Sequence, residues 1–275
     1  MHEELLDPSR TAAHVLHALN AAGAEQRLFE PAPADAAAVS SVLLLLSTCR
    51  SAPGPGRESC LVLNQRSHRV RQPGDLCCPG GGLSPRLDGW AARMLGWPFF
   101  PLGRWPFWGR WRRERPRQAR WLALCLATAL RESFEEMRLN PLRVNFLGPL
   151  PPQRLELFRR RIYPLAAWAP GSGRYRPNWE VQRVVTIPLR HLLDPGRYVR
   201  CDLRPAPRRI HPAFRLDSGG GTEILWGATY RIVVGFLQAV FGFTPPAPER
   251  LALVDLRLGE GYLAGRAALS AGRSG

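Results

Sequence analysis

The chain has 275 residues, 45% hydrophobic and 22% charged, which excludes a fibrous or wholly disordered polypeptide and suffices for a substantial core. Thirty-eight basic residues against 22 acidic ones give a formal charge of +16, yet every basic residue is arginine. With 26 glycines, 27 prolines and abundant alanine, this reads as the bias of a GC-rich coding sequence. Nucleic acid is therefore not expected as the main partner, and a phosphate-rich small molecule is equally well served by arginine.

No apolar run reaches the ~18 residues of a membrane span. Met1-His2-Glu3-Glu4 is acidic where a secretory leader would be basic, so a cytoplasmic protein is the expectation. The six cysteines (Cys49, Cys60, Cys77, Cys78, Cys125, Cys201) show neither C-x-x-C nor zinc-type spacing with histidine, and read as reduced thiols.

Along the chain, Ala12, Val15, Leu16 and Leu19 stand at helical spacing and predict a helix over 8–21. A linker at Pro31–Pro33 follows. Residues 41–47 and 60–64 read as buried strands separated by a turn at 51–59. A basic loop with Arg66, Arg69 and Arg71 leads to Pro79-Gly80-Gly81-Gly82. A helix is predicted over 118–139, strands near 143–148, 161–168, 180–187 and 212–216, and a helix over 226–241. The last thirty residues have weak periodicity. The fold class expected is α/β (α+β), a sandwich with a mixed sheet. The organisation expected is a helical segment at 1–34, a main domain at 35–245 and a C-terminal tail at 246–275.

Chemistry concentrates in Arg131-Glu132-Ser133-Phe134-Glu135-Glu136-Met137. On a helix Glu132, Glu135 and Glu136 share about a third of the circumference. Leu126, Leu130, Phe134 and Met137 are expected on the opposite, buried side. Carboxylates three and four residues apart repel, and a hard divalent cation removes that penalty. Arg131 lies one turn before Glu135 and can hold it by a charge-assisted hydrogen bond. An ordinary solvated acidic face is the competing reading. A glycine bend upstream of such a helix suits metal-assisted attack of water on a phosphoanhydride.

These residues resemble the box of the Nudix hydrolases, G-x5-E-x7-R-E-U-x-E-E-x-G-U with U aliphatic. Arg131, Glu132, Glu135, Glu136 and Leu139 match its second half; Ser133 stands at an aliphatic place and Arg138 at the glycine. Asn140 before Pro141 is expected to supply the helix stop slightly later. Gly82 and Asp88 match the first half as G-x5-D, after which residues 89–130 replace the seven-residue spacer, an insertion of 35 residues. Leu61-Val62-Leu63-Asn64-Gln65-Arg66-Ser67, Arg71, Gly74 and Cys77-Cys78-Pro79-Gly80-Gly81 resemble the extra motif of the coenzyme A pyrophosphatase-type branch. So do Pro177-Asn178-Trp179-Glu180-Val181 and Ile224-Leu225-Trp226-Gly227-Ala228-Thr229.

The resemblance implies a Nudix-like α/β/α sandwich and a Mg²⁺- or Mn²⁺-dependent enzyme. It would cleave coenzyme A or its acyl derivatives to 3′,5′-ADP and 4′-phosphopantetheine. It implies Glu132, Glu135 and Glu136 as metal ligands with Arg131 orienting Glu135. Glu180 is a weaker ligand or base candidate, and Arg66, Arg71, Gly80, Gly81 and Gly82 are the substrate-binding set. Alternatives are another nucleoside diphosphate derivative (ADP-ribose, NADH, a dinucleoside polyphosphate) or a non-catalytic binding module.

The Trp/Arg-rich insertion, 89–120, and the adjoining Trp121 hold six of the nine tryptophans, with eight arginines and a single acid, Glu114. Pro98, Pro101, Pro106 and Pro116 forbid one continuous helix, which favours a segment without fixed structure. A lid over the pantetheine or acyl arm and a membrane-surface contact are the other readings.

Overall fold

A computed structural model describes residues 7–21, 29, 38–50, 56–155, 160–171, 174–204, 210–218, 221–257 and 262. Met1–Glu4, the Pro31–Pro33 linker, and the expected tail beyond 257 apart from Tyr262 lie outside these. The helices are α1 (Pro8–Asn20), α2 (Pro85–Met94), α3 (Trp108–Glu114), α4 (Pro116–Met137), α5 (Leu189–Leu192) and α6 (Gly227–Phe241). The strands are β1 (Ala38–Arg50), β2 (Arg57–Arg66), β3 (Leu76–Cys77), β4 (Gly80–Gly82), β5 (Asn145–Pro149) and β6 (Gln153–Leu155). They continue with β7 (Arg160–Trp168), β8 (Val181–Pro188), β9 (Tyr198–Arg204), β10 (Ile210–Ser218), β11 (Gly221–Trp226) and β12 (Ala252–Arg257).

Strand β1 organises the sandwich because successive side chains of a strand point to opposite faces. Val42, Leu44 and Leu46 face α1 and α6, joining Val15, Leu19, Phe236 and Leu237. Leu43 and Leu45 face the other way, against Leu122, Leu126 and Leu130 of α4. A strand buried on both faces reads as a continuous apolar run, which is why residues 41–47 carry so little alternation.

The main sheet runs β3-β2-β1-β7-β5 and is mixed: β1 lies parallel to β7 and antiparallel to β2. Strand β4 adds to the first half of β1, β8 to the outer edge of β2, and β6 to β7. A smaller sheet, β11-β10-β9-β12, packs beside α6. The mixed α/β sandwich agrees with the sequence expectation. Residues 252–257 of the expected tail pair in parallel with β9. No helix among the described residues is long and apolar enough to cross a membrane.

The insertion departs from expectation. Its prolines separate elements instead of preventing them: α2 ends before Pro98, α3 begins after Pro106, and Pro116 opens α4. Trp105 and Trp111 are each 2% exposed, and Trp105 meets Phe146 edge-on at 4.9 Å. Arg104 Nη2 donates to the Val144 carbonyl at 2.7 Å, tying the segment to the entry of β5. The buried area of these indoles supplies the ordering energy that the proline count hides.

The helix stop also differs. Arg138 itself adopts the left-handed conformation (φ 58, ψ 35), and its N–H and that of Leu139 donate to Phe134 and Ser133 carbonyls. The stop is not delayed to Asn140, whose side chain instead accepts from the Leu142 N–H. Ser133 fits its aliphatic place because its hydroxyl is spent on the Ala129 carbonyl at 2.6 Å.

Candidate active site

The glycine bend meets α4 because β4 pairs with β1, setting Gly80 opposite Val42, Gly81 opposite Ser41 and Gly82 opposite Ser40. Gly80 has φ +139, and a Cβ there would lie 2.4 Å from the Ser41 carbonyl oxygen. Only glycine satisfies both demands. A Cβ on Gly81 would lie 2.5 Å from the Glu132 carboxyl carbon, so Glu132 rests directly on this backbone, whereas Gly82 faces open space.

Glu136 is 8% exposed. Its Oε2 accepts from the Gly80 N–H at 3.1 Å and from Asn64 Nδ2 at 3.0 Å. The loop before β8 hangs from the end of the same helix: the Arg176 and Asn178 N–H groups donate to the Met137 and Glu136 carbonyls. That loop brings Glu180 to a cleft of about 310 Å³, open solvent at its mouth included. Asn64, Arg66, Cys77, Glu136 and Glu180 line it, with Val70 and Val181 as apolar walls.

The three acids of α4 therefore do not form one solvated face. Glu136 is buried against the bend, Glu132 is half-buried on Gly81, and Glu135 is exposed. Phe134, expected in the apolar stripe, is 43% exposed and covered by the Arg138 guanidinium at 5.1 Å from its ring. The bend and the β8 loop cap the Glu136 side of the helix and leave the Phe134 side to water, which periodicity cannot foresee.

Arg131 holds more than Glu135. Its Nε donates to Asp88 Oδ1 at 2.7 Å, its Nη2 to the Gly82 carbonyl at 3.1 Å, and its Nη1 meets Glu132 Oε1 at 2.9 Å. The Glu135 contact, at 3.3 Å, is longer than these three. Asp88 is wholly buried and also accepts from Thr128 Oγ1 and the Ser84 N–H. It fixes the start of α2 and the register of α4 together.

Of the three arginines before the bend, Arg66 alone lines the cleft, its Nε donating to the Arg71 carbonyl at 2.7 Å. The Arg69 and Arg71 side chains are exposed and form no part of the cleft wall. Arg71 thus supports Arg66 through its backbone carbonyl.

Burial pushes the Glu136 carboxyl up to about 7; the Gly80 N–H opposes the shift, while Glu132 and Glu180 add to it. Burial likewise raises Glu132 against the opposing pull of Arg131. Burial pushes the Cys77 thiol up to about 12, so it faces the cleft as a neutral group.

Among the described residues no three His, Cys, Asp or Glu side chains stand ready-made around one point. The chemistry of the donors nevertheless fits a hard divalent cation. Glu136, Glu132 and Glu180 crowd negative charge, and Asn64 Oδ1 is buried with no hydrogen-bond partner. The sequence assigned Asn64 no role; its signal was one amide closing the buried run Cys60–Leu63.

No family model matches the chain, and no curated protein does. Among solved structures, a NUDIX hydrolase from Alicyclobacillus acidocaldarius is 14% identical over 76% of this chain and 98% of that one, with a TM-score of 0.40. A MutT/nudix family protein from Enterococcus faecalis is 12% identical over 88% and 78%, with a TM-score of 0.39. A C. elegans Ap4A hydrolase, in a binary complex, is 13% identical over 57% and 83%, with a TM-score of 0.34. At these identities and scores the likenesses carry no weight for activity or substrate, which rest on the residues themselves.

Proposed function

We propose that this protein is a Nudix-type, divalent-metal-dependent hydrolase of a nucleoside diphosphate derivative, with coenzyme A or an acyl-coenzyme A as substrate. The observation that carries the reading is the burial of Glu136 between the Gly80 N–H and Asn64, beside Glu132, Glu180 and Arg66. Mg²⁺ or Mn²⁺, when bound by Glu136 and Glu132 with Glu135 or Glu180, supplies neutralisation of the diphosphate and a more acidic attacking water. The chain's own residues do the positioning. Asn64 and Gly80 fix one oxygen of Glu136 and leave Oε1 for the cleft. Arg131 keeps Glu132 and Glu135 apart from each other's charge. Arg66 offers a guanidinium to phosphate oxygens at the cleft wall.

The coenzyme A reading rests on the Leu61–Ser67 and Pro177–Val181 segments, which meet at this cleft: the Ser67 N–H donates to the Glu180 carbonyl at 2.8 Å, and Ser67 Oγ to that of Trp179 at 2.7 Å. The reading includes a cytoplasmic setting, in keeping with six free thiols. Incubating the protein with coenzyme A, NADH, ADP-ribose and diadenosine polyphosphates, with Mg²⁺ and with chelator, tests it. Metal-dependent release of 3′,5′-ADP from coenzyme A is expected; turnover of another substrate alone would reassign the specificity. No turnover of any would leave a binding module.

A further inference from the structure

Half of the ten large hydrophobic side chains exposed among the described residues fall within thirteen positions, 87–99, where the insertion begins. Leu87 is 65% exposed, Trp90 73%, Met94 40%, Trp97 60% and Phe99 81%. The spacing 87, 90, 94, 97 is a helical stripe along the outer face of α2 and its continuation. On the opposite face of α2 Asp88 is buried and Ala92 is partly buried in the cluster around α4, which Leu95, just after the helix, also joins. Below the following turn, Leu102, Trp105 and Trp111 are at most 2% exposed, so the outward aromatics stand on an ordered platform.

Within residues 85–107 the exposed charges have one sign. Arg86 and Arg93, seven positions apart on the helix, are exposed together along one flank of the stripe, and the Arg93 guanidinium lies 5.9 Å from the Trp90 ring. The sole acid between residues 85 and 107, Asp88, is wholly buried and committed to Arg131, Thr128 and Ser84. None of these side chains lines the cleft; they face away from its wall. Indoles and a phenyl ring standing clear of the surface, interleaved with arginines and free of exposed carboxylates, suit the boundary between anionic headgroups and acyl chains.

We propose that the outer face of α2, with Trp97 and Phe99, docks the protein on an anionic lipid surface. The aromatic side chains enter the headgroup region and Arg86 and Arg93 pair with lipid phosphates. Because Asp88 on the inner face of the same helix holds Arg131, docking sets the candidate site about one helix diameter, ~10 Å, from the lipid-facing side.

The test is co-sedimentation of the full chain with vesicles of phosphatidylcholine alone and of phosphatidylcholine mixed with phosphatidylglycerol, over a salt series, with tryptophan fluorescence alongside. The expected result is binding to the mixed vesicles with a blue-shifted emission, weakened by salt. Combining Trp90→Ser, Trp97→Ser and Phe99→Ser weakens it at least about tenfold, and Arg86→Glu with Arg93→Glu reduces its salt dependence. Leu253→Ser, on β12, leaves binding unchanged. All these side chains are exposed, so unfolding curves should coincide with wild type. The proposal is overturned if wild type ignores the mixed vesicles at low salt. It is equally overturned if the triple variant binds as tightly, which would assign binding to diffuse basic charge. Self-association that the triple variant abolishes, without vesicle binding, would assign the face to a second copy.

Discussion

Arg131 Nε donates to Asp88 Oδ1 at 2.7 Å across 43 positions of sequence, and the whole insertion lies between the two residues. The long excursion therefore leaves and re-enters at a fixed point. Both ends of the excursion are clamped where α2 starts and α4 delivers its acids.

Removing that clamp should be costly. Asp88→Ala leaves Arg131, Thr128 and the Ser84 N–H without their common acceptor. Breaking a buried pair from one side costs about 3–5 kcal/mol. Chemical denaturation should register a loss of this order, and Asp88→Asn, which keeps an acceptor oxygen, a smaller one.

The three glycines should separate by position. Gly80→Ala puts a Cβ against the Ser41 carbonyl oxygen at a residue held at φ +139, and should lower Tm strongly. Gly81→Ala should keep the fold and lose activity, because its Cβ displaces the Glu132 carboxylate. Gly82→Ala, in open space, should be near neutral in both assays.

The raised Glu136 carboxyl gives stability a pH slope. Below its ordinary value of 4.5 the group is protonated in both native and unfolded chains, and burial costs nothing. As pH rises toward about 7 the unfolded chain ionises while the native one still holds its proton, so stability falls, by roughly 2–4 kcal/mol in all. Asp75, which burial raises to about 6, adds a fall of the same sign over a lower window. Unfolding measured in chelator from pH 4 to 8 should show this decline, Glu136→Gln should remove the part extending to neutrality, and Mg²⁺ should diminish it in wild type. A slope unaltered by Glu136→Gln would mean that the carboxyl is not shifted.

Asn64 should act through Glu136. Asn64→Leu removes one of the two donors to Oε2 and the unpartnered Oδ1. Mn²⁺ affinity measured by calorimetry should fall about tenfold, on the scale of losing a supporting hydrogen bond to a ligand. Asn64→Gln should not restore it, since the longer side chain overfills a position 1% exposed.

Periodicity alone located α1, α4, α6 and the strands that carry the sheet, since each buries a face whose spacing is written in its residues. It also placed the acids on one helix, whereas the three glycines, read as a bend, form strand β4 against β1. It misjudged residues 89–120, because prolines and arginines are conspicuous in a sequence while the burial of Trp105 and Trp111 against Phe146 is not. Only the tertiary structure decided which acid is buried, which arginine faces the cleft, and that Asn64 reaches Glu136. Those outcomes depend on which neighbouring strand or loop excludes water from one side of α4, a property of chain segments far apart in sequence and invisible to local pattern.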